Sequence, residues 1–187
     1  MKKVVVSFLG KDGPGVVHAV SSLLTGLECN INEVSQTILH SEFAAIVIAE
    51  MPDGCTIDAL QDELVKGLAE RQIDLSVTAR LYDGTSWSAE DPQSFVVSVD
   101  GPDQQGLVAA ISGILGEHNV NIANLKAIVP ADQPDGNALI VFEVIVPGAV
   151  ELSALRGALN AKAEELSLRV SVQHRDIFEA VHRVQPV

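Results

Sequence analysis

"VVSFLGKDGPGVVHAVSSLLTGLECNI", residues 5–31, and "VVSVDGPDQQGLVAAISGILGEHNVNI", residues 96–122, agree at 12 of 27 positions without a gap. Average residue usage would give about two matches. The chain is therefore an internal duplication, and the fold of one half is the fold of the other. The far ends agree as well, "LSVTARLYD" (75–83) resembling "LRVSVQHRD" (168–176). This divides the chain into a first unit over 1–83, a polar linker over 84–93 broken by Gly84 and Pro92, a second unit over 94–176 and a tail over 177–187.

Hydrophobic periodicity orders the elements inside each unit. Residues 4–9 and 95–99 are β-rich runs. Val16, Val20, Leu23, Leu24 and Leu27 form the stripe of an amphipathic helix, repeated by Leu107, Ile111, Ile114 and Leu115. Two strands follow, over 30–39 and 43–51, then over 121–129 and 138–146, joined by "HSE" in the first half and by the Pro- and Gly-rich "PADQPDGN" in the second. A second helix carries Ile57, Leu60, Leu64 and Leu68, matched by Leu152, Leu155 and Leu159, and alternating strands close each unit at Leu75, Val77, Ala79 and Leu81 and at Leu168, Val170 and Val172. The order βαββαβ, twice, predicts an α+β protein of two ferredoxin-like units, each an antiparallel sheet with both helices on one face. In the tail, Ile177, Phe178, Val181 and Val184 fit one stripe of a short helix packed on its own domain. Trp87, the single tryptophan, is read as a linker residue covering apolar surface, with an anchor between the halves as the alternative.

Composition narrows the partners. Twelve basic and 25 acidic residues leave a net charge of −13, spread as −6 over 1–83, −2 over 84–93 and −5 over the rest. Such a surface repels a phosphate backbone, so direct nucleic-acid contact is not expected. Cys29 and Cys55 make neither a CxxC pair nor a disulfide framework, which fits a reducing cytoplasm. The opening "MKKVVVSFLG" is too short in its apolar run for a signal peptide, and no stretch is long enough to span a bilayer.

The chemistry must be sought where "KDGPG" meets the first helix. Gly13 and Gly15 let the backbone approach a partner, Pro14 suits a first helical position, and the amides of a helix N-terminus favour an anion. Asp12 beside them could accept hydrogen bonds from an ammonium group, so the corner suits a zwitterion. Asp before Gly-Pro is also a normal helix-start signal, with the Asp12 carboxylate capping the helix amides. Asn30-Ile31 and Asn121-Ile122 recur at the start of the second strand. There they lie about 20 Å or more from their own loop, and they reach a loop only if the two units pack antiparallel. That pairing sets Asn121 against the loop of Asp12–Gly15, and Asn30 against the loop of Asp103–Gly106; a local turn at each Asn is the other reading. Gln104 and Gln105 replace Gly13 and Pro14, so the first pocket is expected to be the better formed. His18, His40, His118, His174 and His182 show no metal spacing, and no nucleophile motif surrounds Cys29, Cys55, Ser21 or Ser112. No cofactor, no metal and no catalysis are expected. "GPGVVH" lacks the third glycine of a dinucleotide fingerprint, and Lys11 precedes the glycines rather than following them as in a P-loop.

"GKDGPGVVHAVSSLLTGLECNINEVSQT" resembles the first half of an ACT domain, a glycine-rich D-x-P-G turn, an apolar helix and N-I at the second strand. "GPDQQGLVAAISGILGEHNVNIANL" resembles a second copy without the proline. The resemblance covers residues 3 to 176. It implies a cytoplasmic regulatory module that binds a small effector, an amino acid such as glycine or serine, at Asp12, Gly13, Pro14, Gly15, Asn30 and Ile31 and at Asp103, Gly106, Asn121 and Ile122. It further implies action through a protein partner, with a transcriptional activator among the candidates, and leaves association of two chains open. Two other readings stand beside it. One is an interaction module with no ligand; the other is an enzyme fragment related to formyltetrahydrofolate deformylase, whose hydrolase domain the chain is too short to hold.

Overall fold

The structure, a computed structural model, describes residues 2–128 and 136–182. The chain divides into two compact units between Ser86 and Trp87. The first contains β1 (Lys2–Lys11), α1 (Val16–Gly26), β2 (Asn30–Leu39), β3 (Glu42–Met51), α2 (Ile57–Glu70) and β4 (Leu75–Leu81). The second contains β5 (Gln93–Pro102), α3 (Leu107–Glu117), β6 (Asn121–Ile128), β7 (Asn137–Val146), α4 (Leu152–Glu165) and β8 (Arg169–His174), followed by α5 (Arg175–His182). Each sheet has four antiparallel strands, in the orders β2-β3-β1-β4 and β6-β7-β5-β8. This is the ferredoxin-like arrangement that the periodicity predicts.

Alternation along each central strand decides which face is buried. Val4, Val6 and Phe8 of β1 and Phe43, Ala45, Val47 and Ala49 of β3 form one core with Val16, Val20 and Leu24 of α1 and Leu60, Leu64 and Leu68 of α2. The second core repeats the plan with Val97, Val99, Ile140, Phe142, Ile111, Leu115, Leu155 and Leu159. Fully burying one such side chain contributes about 1.5–3 kcal/mol, so these faces dominate each unit's stability. The first strand of each unit runs further than the hydrophobic run alone suggests, because β1 stays paired with β3 from Lys2 to Lys11 and β5 with β7 from Gln93 to Pro102.

Helices α1 to α4 end alike. After α1, Glu28 N–H donates to the Thr25 carbonyl and Cys29 N–H to the Leu24 carbonyl, with Glu28 left-handed at φ 58°. Asn119 repeats this after α3 at φ 56°, and Gln72 and Ser167 do so after α2 and α4. This is the Schellman arrangement, in which an apolar residue just past the left-handed one packs back on the helix. It gives Cys29 a structural part as that apolar residue, and it fixes where β2 begins.

In the tail, α5 spans residues 175–182; Ile177 is 59% exposed and Phe178 half-buried, so Ile177 is not part of a buried stripe. Val184 lies outside the described residues, as does most of the 130–137 connection. Trp87 is exposed.

Candidate functional site

The corner ahead of α1 is a tight turn. Val16 N–H donates to the Gly13 carbonyl at 3.3 Å, with Pro14 and Gly15 between them and Gly15 at φ 91°, ψ −5°. Pro followed by a residue at positive φ is the signature of a type II turn, which a Cβ at the second position would strain. Gly15 is thus the N-cap, and Pro14 lies outside the helix rather than at its first position. No side chain caps α1. The capping role considered for Asp12 does not occur: among the described residues its carboxylate makes no hydrogen bond, while its own N–H donates to the Ser41 carbonyl in the β2–β3 turn at 2.8 Å.

The second corner has the same backbone and different side chains. Gly106 caps α3 at φ 91°, ψ 4°, again without a side-chain cap. Gln104, standing where the first corner has Gly13, sends its Nε2 to the Leu166 carbonyl at 2.8 Å and ties the corner to the turn after α4. One residue pair missed in the sequence supports both corners from below. A Cβ on Gly10 would collide with the Asp74 carbonyl oxygen, and one on Gly101 would come within 2.7 Å of Leu168. Their identity at equivalent positions was visible in the repeat, and the close approach of the last strand explains it.

The asparagines sit at the other end of their sheets. Asn30 pairs with Glu50, the partner of Lys3, whereas the loop leaves β1 at Lys11 beside Glu42. Eight residues of strand separate the two levels, about 26 Å. Neither Asn30 nor Asn121 makes a side-chain hydrogen bond among the described residues, so the local-turn reading has no bond to support it; Asn30 is exposed and Asn121 half-buried. A β-bulge follows each N-I pair, between Ile31 and Glu33 and between Ile122 and Asn124. No pattern of residues signals it.

Beside each corner a cleft runs between the first helix and the edge strand. In the second unit it holds about 450 Å³ and reaches Asp103, Gln104 and Gly106. In the first it holds about 170 Å³, starts at Val17 and does not touch residues 12–15. Within its own unit the second loop borders its cleft and the first loop does not. The reason lies in side chains the loop comparison left out: Gln36 and Phe43 line the first cleft where Ala127 and Ala138 line the second.

His18 and Ser22 approach to 3.4 Å on the outside of α1. Burial, and after it the neighbouring Cys55, pushes the Cys29 thiol above its usual range. Among the described residues no three His, Cys, Asp or Glu side chains are grouped for a metal, and no helix is long and apolar enough to cross a membrane.

Comparison with known proteins agrees with this geometry. ACT-domain models match residues 2–78 and 95–164. The chain is a tandem ACT-domain protein. A UPF0237 protein of Methanopyrus kandleri is 39% identical over 89 residues, which cover 48% of this chain and 96% of that protein. One of Methanocaldococcus jannaschii is 38% identical over the same length and shares. Among solved structures, an unknown protein from Galdieria sulphuraria has a TM-score of 0.73 at 23% identity, covering 92% of this chain and 98% of its own. A candidate glycine cleavage system transcriptional repressor has a TM-score of 0.64 at 18% identity, covering 92% and 96%. At these identities the structural likeness speaks for the fold. ACT domains are regulatory modules that sense small molecules, typically amino acids.

Proposed function

We propose that this tandem ACT protein is a non-enzymatic amino-acid sensor that alters its contact with a protein partner when an effector binds, as a glycine cleavage system repressor would. The observation that carries the reading is the pair of helix N-termini, at Gly15 and Gly106, whose amides no side chain caps. An effector carboxylate seats on those amides. Asp12 or Asp103 takes its ammonium group, with Gly13 and Pro14 shaping the first turn. Asn30-Ile31 and Asn121-Ile122 serve the corner of another ACT domain, since each lies too far from its own. Glycine or serine is the first effector to try, and the −13 charge favours a protein partner, such as a transcriptional activator, over DNA.

Such a ligand shifts partner binding only by its difference in affinity between the two states. Calorimetric titration of the full chain with amino acids is the direct test: heat of binding is expected for at least one, and is weakened by Asp12→Ala or Asp103→Ala. Silence from every amino acid at millimolar concentration ends the sensing role. A ligand-free interaction module is the second reading, favoured by the edge strands. Val34, Ile38 and Leu125 are 60%, 50% and 40% exposed on strands with one side unpaired in their own sheet. On that reading the aspartate variants change no binding at all.

A further inference from the structure

The two clefts differ in how they treat whatever lies beside the uncapped amides. In the second domain Val108, Ala109, Ala127, Ala138 and Ile140 make an apolar trough that runs from Gly106 along α3. Ala138 pairs with Gly101, and Phe43 pairs with Gly10 at the equivalent place in the first sheet. Ala127 pairs with Ile140, and Gln36 with Ala45. A benzyl group and a carboxamide-bearing chain in one domain thus correspond to two methyl groups in the other. The trough's volume of about 450 Å³ lies within the ~300–1,000 Å³ usual for small-molecule sites, and the first domain's 170 Å³ falls short of it.

We infer that positions 43/138 and 36/127 set the size of the effector side chain, so that the second ACT domain takes an amino acid with a bulky apolar side chain, such as leucine or phenylalanine, while the first admits only a small one. The inference rests on the amino-acid sensing proposed above. With the carboxylate on the amides after Gly106, the side chain continues into the trough and exchanges water for the methyl groups of Val108, Ala127, Ala138 and Ile140. In the first domain the same path meets Phe43, which is fully buried and has nowhere to retreat. Gln104 does not block the trough, because its amide is turned to the Leu166 carbonyl.

Calorimetry on the full chain with leucine and with glycine tests this, using wild type, Ala127→Gln and Ala138→Phe. Ala127 is exposed, so its variant folds even if Ala138→Phe does not, and thermal melts report which did. Leucine is expected to bind wild type with one site per chain, and either variant to weaken it about tenfold or more while leaving glycine within about threefold, a tenfold change being about 1.4 kcal/mol. If glycine binds and leucine does not, or if Ala127→Gln leaves leucine affinity unchanged, the size rule is wrong and the sensing role stands. If neither these nor any other amino acid binds, both fail together.

Discussion

The corners ahead of α1 and α3 share a backbone and almost nothing else. Gly15 and Gly106 have the same φ of 91°, the same missing side-chain cap, and a close-packed glycine just upstream at Gly10 and Gly101. Yet one corner has open glycine where the other has Gln104 bound to Leu166, and one cleft is filled by Phe43 where the other is lined by Ala138. The difference teaches that duplication has kept what the main chain requires, namely positive φ and close strand approach. What the side chains line has been free to diverge. Two corners with one scaffold and different clefts beside them follow from that.

The comparison is most easily broken at Phe43. Its 1% exposure at the first corner makes Phe43→Ala a loss of about 3–5 kcal/mol, as for other large-to-small core changes. Guanidinium unfolding of the full chain checks it. A cost near 1 kcal/mol would mean the first cleft collapses readily, and that the contrast with Ala138 is smaller than the coordinates show.

Next in size are Gly15→Ala and Gly106→Ala, which place a Cβ at positive φ in open space. Each is expected to cost about 1–2 kcal/mol, the left-handed penalty for an L-residue. Equal costs sharpen the case that the corners share one backbone; a clear inequality between the two denaturation midpoints would break it.

The smallest expected effect belongs to Gln104→Ala. Removing its bond to the Leu166 carbonyl, in an exposed setting, should cost about 0.5–1.5 kcal/mol. Amide hydrogen exchange around residues 103–107 should quicken as the corner loosens. Asp12→Ala in the first domain is the control, with no comparable stability change, because its carboxylate caps no helix amide.

Much of this could be read in advance. The repeat at an offset of 91 and the 3.6- and 2-residue periodicities gave the order of elements, the two cores and the far placement of Asn30 and Asn121. The Pro14-Gly15 pair carries a type II turn signal, which puts Gly15 rather than Asp12 at the head of α1 and leaves the Asp12 cap unformed. The bulge after Ile31 and Ile122 had no pattern to betray it. Strand alternation on an exposed edge is weakly specified when few of its side chains are buried.

By itself, then, the sequence determined which faces are buried and in what order they come, because hydrophobic period is a local property that survives without coordinates. Tertiary structure alone decided which corner has room beside it. The size of that cleft depends on Val17, Gln36 and Phe43, or Val108, Ala127 and Ala138, meeting from three separate elements, and no window along the chain contains all three. It also decided that Gly10 and Gly101 must be glycine, since the atoms that forbid a Cβ there belong to residues at the entry to the last strand, more than 60 positions away.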